Sequence, residues 1–457
     1  MEQQKKQPLS HRKILIATTI LIPIIIVASS IIIINTLSQI PEPAKEQFPR
    51  IDLTLNEVPI ETINNSPKGI IYPDNQLSIS NGISKTNYYN VEIKGRGNST
   101  WVQIKKPYQI KLPYRETLLN LNRARKWAFL ANYFDESFLR NDIAFWLEKE
   151  LECANAFQGD FAELYIDDIY YGLYYITSTA SIGKEEIDLR NPFGIIVELD
   201  NLHHDDNGWY SDKNDYLTVK DIVSEDNLAQ ATQDFSSAYT LIEQSVYKGD
   251  WSSLQKVADV ESFAKYYLLS EFTVNPDAYT SSFFMFKDGP EDKIHAGPGW
   301  DYDFALGNRE WENEHDESFY SPTELGMIEK YAYGGKWNSP DGQLVDHAPD
   351  TRISRLIFNM LKIPEFNELV KQIWQEKMSG KSQELINYVN TRADYISSAA
   401  EHDQYRWKQG AFRDAFNYLL NWVEERYNFI DSIYGVSSPT PAPTSPANAI
   451  SRPLSDF

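Results

Sequence analysis

The chain has 457 residues, of which 42% are hydrophobic and 24% are charged. This composition is typical of a globular protein with a large core, and the length allows two or three domains. Lys and Arg number 43 against 65 Asp and Glu, a net charge of −22. The charge excludes general nucleic-acid binding, which depends on basic residues that neutralise phosphates, so no nucleic-acid partner is expected.

The first feature along the chain is an uncharged apolar stretch, residues 14–34. As a helix rising about 1.5 Å per residue, it spans roughly 30 Å, the thickness of a bilayer core. Four basic residues precede it: Lys5, Lys6, Arg12 and Lys13. The positive-inside rule therefore predicts a cytoplasmic segment 1–13, a transmembrane signal anchor 14–35 and an extracytoplasmic remainder. The alternative is a cleaved signal peptide, whose apolar region is usually shorter.

Both ends of the remaining chain read as irregular. Residues 36–50 contain three prolines among polar residues and predict a linker, and residues 436–457 are rich in Pro, Ser and Thr and predict a disordered tail. Residues 51–435 form the folded domain. Cys153 is the only cysteine, which excludes an internal disulfide; we predict a small core residue there.

The first part of this domain predicts strands. Apolar residues alternate with polar ones around Val91 and again over residues 108–112. A helix follows, with Asp135 or Ser137 expected as its N-cap. Its apolar stripe comprises Leu139, Ile143, Trp146 and Leu147.

The later part predicts a hairpin, one more strand and then mostly helix, so the fold class is α+β. The hairpin pairs residues 163–166 with 170–177 around Asp167 and Asp168, and the strand covers 194–199. The predicted helices are 260–272, 351–361, 365–378, 382–397 and 411–433.

An acidic pair, Asp301 and Asp303, is the strongest chemical signal. Side chains alternate in an extended segment, so both carboxylates are expected on one face, where they can bind one divalent cation. A lone Asp-x-Asp also occurs in polar turns after strands.

Upstream, Asp277 precedes Ser282 by five positions, and an alternating apolar strand follows. Protein kinases use this spacing for a catalytic Asp and a metal-binding Asn; the alternative for Asp277 is an Asn-Pro-Asp turn residue.

At these segments the chain resembles the CotH family, the spore-coat protein H kinases, over about residues 51–435. The other segments that carry the resemblance are 94–101, 105–112, 127–135, 137–141, 170–175 and 198–200. The resemblance implies an atypical bilobal protein-kinase-like fold, with a strand-rich N-lobe and a helix-rich C-lobe. It also implies that ATP and Mg²⁺ (or Mn²⁺) serve to phosphorylate Ser or Thr of a surface or coat protein.

Within this resemblance, Asp277 is expected as the catalytic base and Asp301 as the principal metal ligand, with Ser282 and Asp303 as secondary ligands. Two positions depart from the family pattern: Ser282 stands where Asn is frequent, and Ser178 where Glu is frequent. A serine oxygen also binds Mg²⁺, so the first departure weakens the expectation of activity without removing it.

The phosphates of ATP need cationic and backbone donors, and residues 95–100 form a candidate loop. Its candidate ligands are Arg96, Asn98 and Ser99. Lys106 and Lys111 compete as the phosphate lysine, and the position of Lys111 on the polar face of its strand favours it. The ion-pair partner of that lysine is expected to be Glu148 or Glu163, and Arg140 and Asn141 are expected to pair with acids near the site.

Two other function classes stay open. One is a catalytically silent relative that works as a surface adhesin or binding module. The other is a metal-dependent sugar-nucleotide transferase, since Asp-x-Asp serves that chemistry too. Residues 203–206, two histidines and two aspartates, have metal-binding residue types but are expected to form a loop. The predicted location is the bacterial cell membrane, with the folded domain outside.

Overall fold

The computed structural model describes residues 48–81, 84–308, 321–338 and 344–436. The predicted membrane anchor and nearly all of the linker and tail lie outside these residues. Within the described part of the chain, no helix is both long and apolar enough to cross a membrane.

The strands, in chain order, are β1 (Arg50–Thr54), β2 (Tyr72–Ser80), β3 (Lys85–Gly95), β4 (Tyr108–Glu116), β5 (Ala124–Leu130), β6 (Gly159–Ile166), β7 (Ile169–Ser178), β8 (Gly194–Leu199), β9 (Gly208–Tyr210), β10 (Tyr216–Ile222), β11 (Phe283–Asp288), β12 (His295–Ala296), β13 (Gly335–Asn338) and β14 (Leu344–His347).

The helices are α1 (Ile60–Asn64), α2 (Arg140–Glu150), α3 (Leu228–Lys248), α4 (Trp251–Val257), α5 (Val260–Thr273), α6 (Met327–Tyr333), α7 (Leu356–Met360), α8 (Pro364–Lys377), α9 (Ser382–Trp407) and α10 (Phe412–Tyr434).

The chain divides into two compact units. The first, here called the barrel unit, takes its described residues from 1–138, 158–179 and 391–416. The second, the helical unit, takes them from 139–157, 180–390 and 417–457. The protein is therefore a mixed α+β structure with a strand-rich part and a helix-rich part, which confirms the predicted fold class at this level.

A closed seven-stranded barrel, in the order β1-β2-β3-β4-β5-β7-β6, forms the barrel unit. Neighbouring strands are antiparallel except β1 and β6, whose parallel pairing closes the barrel. The predicted alternation is confirmed in β3, where Val91 and Ile93 are buried and their neighbours are half-buried or exposed. These side chains join Trp127 and Ile176 in one apolar core, because alternate residues of a strand face the same side.

A buried ion pair holds the C-terminal part of α9 against β7 within the barrel unit. Lys105 Nζ lies 2.5 Å from Asp403 Oδ2, and both side chains are 1% exposed. Lys105 also donates to the Leu173 carbonyl at 2.7 Å, while Asp403 accepts the Leu173 N–H at 2.7 Å. The adjacent Gly172 has φ 122°, and a Cβ there would lie 2.2 Å from Asp403 Oδ2. Only glycine fits this approach.

The helical unit contains a five-stranded sheet in the order β12-β11-β8-β10-β9. The predicted strand at 194–199 is β8, and every one of its residues is buried. β11 is the strand predicted after Ser282. It pairs with β8 in the register that places Phe284 opposite Glu198. This pairing brings the start of β11 beside the end of β8, where the candidate site lies.

Several predicted elements are confirmed. The hairpin is β6 and β7, and its turn residues Asp167 and Asp168 have φ 48° and 64°, as a tight turn of this kind requires. The predicted helices 260–272, 365–378 and 411–433 correspond to α5, α8 and α10 within a residue or two at each end.

Three helix predictions were wrong in detail. Neither Asp135 nor Ser137 caps α2, which begins at Arg140, because the Asp135 carboxylate instead accepts the Ser137 N–H at 3.0 Å and the Ser137 hydroxyl. The helix is buried on all sides from Arg140 to Glu148 and has no single apolar stripe. The helix expected at 351–361 is shortened to α7, and the one expected to end at residue 397 continues to the end of α9.

Cys153, predicted as a core residue, is only half-buried. Burial and the nearby charge of Glu148 raise the pKa of its thiol well above the usual value. The thiol therefore stays protonated and unreactive at neutral pH.

Candidate active site

Asp277 lies in a tight loop that follows α5. The first loop residue, Val274, adopts a left-handed conformation with φ 48° and ψ 48°, which is rare for a β-branched residue. The Asp277 carbonyl accepts the N–H groups of Thr280 and Ser281, both at 3.0 Å. The backbone of Asp277 therefore forms a turn, as the alternative interpretation predicted. These turn hydrogen bonds do not involve its side-chain carboxylate.

The electrostatic surroundings of Asp277 come from two other segments. Burial and the negative charge of Asp301 raise the pKa of the Asp277 carboxyl to about 7, and a positive His204 opposes that rise. Two carboxylates that raise each other's cost of ionisation attract a cation or share a proton. The structure therefore brings together the two acids that the sequence analysis proposed as base and metal ligand.

Asp301 and Asp303 do not lie on one face of an extended segment, so that prediction was wrong. Asp301 has φ 64°, and no strand includes either residue. The left-handed turn leaves Asp301 exposed while Asp303 is 8% exposed. The Asp303 carboxylate accepts a hydrogen bond of 2.6 Å from Asn141 Nδ2. The expectation that Asn141 pairs with an acid near the site is confirmed, and the acid is Asp303.

Helix α2 holds the segment around Asp301 through a buried carboxylate. Glu148 accepts the N–H of Gly299 and, at 3.2 Å, that of Phe157, and the Tyr302 hydroxyl lies 3.3 Å away. Burial raises the pKa of Glu148 to about 8, against the lowering effect of these donors. A Cβ on Gly299 would lie 1.9 Å from the Tyr302 hydroxyl oxygen, so this close approach requires glycine.

Arg140, on the same helix, was also expected to pair with an acid near the site. The structure shows its Nε donating to the Ala305 carbonyl at 2.9 Å, shortly after Asp303. Together Arg140, Asn141 and Glu148 bind three points of the segment 299–305 from one face of α2.

Ser282 lies directly before β11 and has φ 57°. Its N–H donates to Glu198 Oε1 at 2.9 Å, and the other Glu198 oxygen contacts Lys220 at 2.8 Å. Burial raises the pKa of Glu198, and the Lys220 charge opposes this. Lys220 also contacts Asp205 at 2.8 Å. A charged network thus surrounds the position expected for a secondary metal ligand.

The loop expected at residues 203–206 is present, and the charge of its His204 acts on Asp277. Asp200 accepts the N–H groups of His204 at 3.1 Å and Asp205 at 2.9 Å, and His204 Nδ1 lies 3.2 Å from the same carboxylate. The burial of Asp200 would raise its pKa, but these hydrogen bonds lower it overall. Sequence analysis gave no role to His204, Glu198 or Lys220. Residues 198–200 belong to a segment that carries the family resemblance. Nothing in the sequence marks Lys220, because its contact with Glu198 depends on the pairing of β8 with β10.

The candidate phosphate ligands all lie in the barrel unit, four of them between β3 and β4 and Lys111 within β4. Asn98 and Ser99 are exposed and Arg96 is half-buried. Lys68 donates to the Asn98 side chain. Gly95 is required by packing, since a Cβ there would lie 2.4 Å from the Trp101 ring. The loop is therefore folded onto its own tryptophan.

The two competing lysines differ in their contacts. Lys106 lies 4.7 Å from the Trp101 ring centroid and donates to the Trp101 carbonyl. Lys111 contacts Glu92 at 2.9 Å, with both side chains partly exposed. The expected acidic partners make other contacts: Glu163 lies 3.1 Å from His402 Nδ1, and Glu148 binds backbone in the helical unit. In the barrel unit, Lys105 is a lysine whose acidic partner, Asp403, is buried.

The donor set around Asp277 and Asp301 fits a hard divalent cation. No group of three or more His, Cys, Asp or Glu residues that could hold a metal occurs among the residues the structure describes. Mg²⁺ is commonly bound by one or two carboxylates, with water and phosphate oxygens completing its octahedron. Asp301 with Asp277 or Ser282 matches this pattern in residue type.

These features define an α+β protein with a seven-stranded barrel and a pair of interacting carboxylates, Asp277 and Asp301, in its helical unit. The chain belongs to the CotH kinase family, since the family model described as CotH kinase protein matches residues 93–430. This match confirms the family predicted from the sequence motifs; β1 and β2 precede the matched region. No curated protein matches the chain.

Proposed function

We propose that this protein is a CotH-type protein kinase that transfers phosphate from ATP to Ser or Thr hydroxyls of a protein acceptor. The observation that carries the proposal is the placement of Asp277 beside Asp301, on two loops of the helical unit, so that the charge of Asp301 raises the pKa of Asp277. Phosphoryl transfer needs a cation and an acid that orients the acceptor, and little else from the protein.

In this proposal Asp277 accepts a hydrogen bond from the acceptor hydroxyl and takes its proton. A pKa of about 7 suits a general base that works near neutral pH. His204 would favour the ionised form of Asp277 when it is itself protonated. Burial and the charge of Asp301, opposed by His204, thus hold the pKa of the proposed base near neutral pH.

Asp301 would hold Mg²⁺ (or Mn²⁺), with Ser282 as a secondary oxygen ligand. When bound, the cation offsets the negative charge of the ATP phosphates. Asp303 is better suited to holding the backbone around Asp301, because its carboxylate is buried against Asn141. The Asp303 side chain would then act on the metal only through the position of Asp301.

The family resemblance supports an atypical bilobal kinase fold, with the barrel unit as the strand-rich lobe and the helical unit as the helix-rich lobe. Arg96, Asn98 and Ser99 remain the proposed phosphate ligands, together with Lys106 or Lys111. Lys105 is a structural residue in this scheme, because Asp403 and the Leu173 carbonyl already occupy its buried ammonium group.

The proposal includes location. The apolar stretch 14–34 and the basic residues before it support a single-pass membrane anchor with the kinase domain outside the cytoplasm. The acceptor would then be a surface or coat protein of a bacterium.

A catalytically silent relative is the second candidate, and Ser282 in place of the frequent Asn favours it. A thermal-shift series on the detergent-solubilised full chain separates the candidates. Stabilisation by ATP with Mg²⁺, together with transfer of labelled phosphate to protein, is the expected result. Stabilisation by UDP-sugars alone would favour a glycosyltransferase, and no stabilisation by either would favour a binding module.

A further inference from the structure

One buried side chain, Asn275, contacts both of the loops that carry the proposed acids. It is 2% exposed. Its Oδ1 accepts the Asp277 N–H at 3.1 Å. Its Nδ2 donates to the carbonyls of Asp301 at 3.1 Å and Trp300 at 3.4 Å. A carboxamide has an acceptor oxygen and two donor hydrogens, so a single side chain joins the two loops through both of its ends.

The backbone on each side of this contact is in an unusual conformation. Val274, directly before Asn275, and Asp301 both have left-handed φ angles. Such residues persist only where surrounding contacts hold them, and they are frequent at functional sites. A second bond joins the same segments, since the Leu306 N–H donates to the Thr273 carbonyl at 2.7 Å.

The start of the Asp277 loop is also held from behind. Arg426, which is fully buried, donates through Nε to the Phe272 carbonyl at 3.2 Å and through Nη2 to Glu271 Oε1 at 2.8 Å. The end of α5 is therefore held by α10 within the helical unit. Thr273 and then Asn275 follow along the chain, and both bind the segment that carries Asp301.

We propose that Asn275 is a positioning residue that sets the separation of the Asp277 and Asp301 carboxylates. This inference rests on the proposed function, in which Asp277 orients the acceptor and Asp301 holds the cation. Two neighbouring carboxylates repel each other, so their spacing must be imposed through the backbone. A neutral amide does so without a third negative charge, whereas an acid at this position would add one.

The two ends of the amide can be tested separately. Asn275→Asp keeps an oxygen that accepts the Asp277 N–H but places an oxygen against the carbonyls of Trp300 and Asp301. Asn275→Ala removes both ends. Substitution of a residue that orients a metal ligand typically lowers metal affinity or activity about ten- to a hundredfold.

The first measurement is the Mg²⁺ concentration that gives half-maximal phosphate transfer by the full chain. In Asn275→Asp it should rise about ten- to a hundredfold, because the segment that carries Asp301 loses its amide donor. In Asn275→Ala both the Mg²⁺ requirement and the saturated rate should change. Unchanged Mg²⁺ requirements in both folded variants would overturn the proposal.

Asn75 in the barrel unit is a matched control. It is 3% exposed, its Nδ2 donates to the carbonyls of Tyr72 at 2.8 Å and Val91 at 3.1 Å, and its Oδ1 accepts the Asn56 N–H at 3.2 Å. Asn75→Asp should lower thermal stability as Asn275→Asp does, with no change in the Mg²⁺ requirement. If Asn75→Asp and Asn275→Asp changed the Mg²⁺ requirement equally, the effect of Asn275 would be one of general stability and not of positioning.

The second measurement does not depend on activity. Hydrogen exchange followed by mass spectrometry should show faster exchange in residues 297–308 for Asn275→Asp, and in both 274–282 and 297–308 for Asn275→Ala. If the wild-type protein neither bound nor used ATP with Mg²⁺, the proposed function would be wrong. The exchange pattern would still test whether Asn275 holds the two loops together. Exchange unchanged in both segments would show that Asn275 does not hold them together.

Discussion

At the scale of single residues, the proposed site and its surroundings contain carboxylates whose ionisation is costly. Asp277, Glu148 and Glu198 all have raised pKa values, and burial is the largest cause in each. Such groups cluster at functional sites more often than elsewhere. Their arrangement leads to three predictions about individual side chains.

The first concerns Asp301. Asp301→Asn should lower the phosphate-transfer rate on the order of a thousandfold, because it removes the principal ligand of the cation that offsets phosphate charge. The fold should survive, since the amide is isosteric and the side chain is exposed. Initial-rate measurements with labelled ATP provide the check, with Asp188→Asn, an exposed carboxylate of the same unit, as control. Transfer retained in Asp301→Asn would exclude this residue from the site.

The second concerns Ser282, whose φ of 57° suits asparagine better than most residues. Ser282→Asn should preserve or raise transfer, since it restores an oxygen ligand frequent in the family and relieves the backbone. Ser282→Ala should increase the Mg²⁺ concentration required. Transfer measured against Mg²⁺ concentration for both variants distinguishes these effects. A loss of activity in Ser282→Asn would argue against a metal-ligand role.

The third concerns pH. An Asp whose folded-state pKa is about 7, above an unfolded value of about 3.9, contributes most to stability at low pH and loses that contribution as the pH rises through 7. Asp277→Asn cannot ionise, so it should melt at a higher temperature than the wild type at about pH 8 and at a similar temperature near pH 4. Melting curves across this range test it. A constant difference at all pH values would contradict the raised pKa.

At the scale of elements, the pairing of α9 with β7 depends on charges buried in the barrel unit. Lys105→Met should destabilise the protein by about 3–5 kcal/mol, because it leaves Asp403 buried without a cation. Lys111→Met, which breaks the half-exposed pair with Glu92, should cost less than about 1 kcal/mol. Chemical denaturation of both variants measures the difference. Equal costs would show that the buried pair is not what holds α9.

Element prediction succeeded where the pattern was local. The alternation in β3 and the Asp167-Asp168 turn follow from neighbouring residues, and so do most of the long helices. It failed for the N-cap of α2, because Asp135 and Ser137 bond to each other instead of to the helix. It also failed for the extended segment at Asp301, whose left-handed turn is held by contacts with α2 and with Asn275.

At the scale of the whole molecule, the chain is predicted to cross the membrane once. Protease added to intact cells should remove everything after Asn35 and leave residues 1–13 protected, because Lys and Arg concentrate before the apolar stretch. Immunoblotting with tags at each end provides the measurement. A soluble form that begins after residue 30 would show that the segment is cleaved.

The sequence by itself determined the family and the α+β class, and it singled out Asp277 and Asp301 as the proposed site acids, because those signals lie in residue type and short spacing. Only the tertiary structure decided three contacts. Asp303 accepts a hydrogen bond from Asn141, Lys105 pairs with Asp403, and Asn275 joins the loops that carry Asp277 and Asp301. These contacts join residues between 26 and 298 positions apart or depend on left-handed turns. Local patterns carry no record of such pairings, since they arise from how the elements pack.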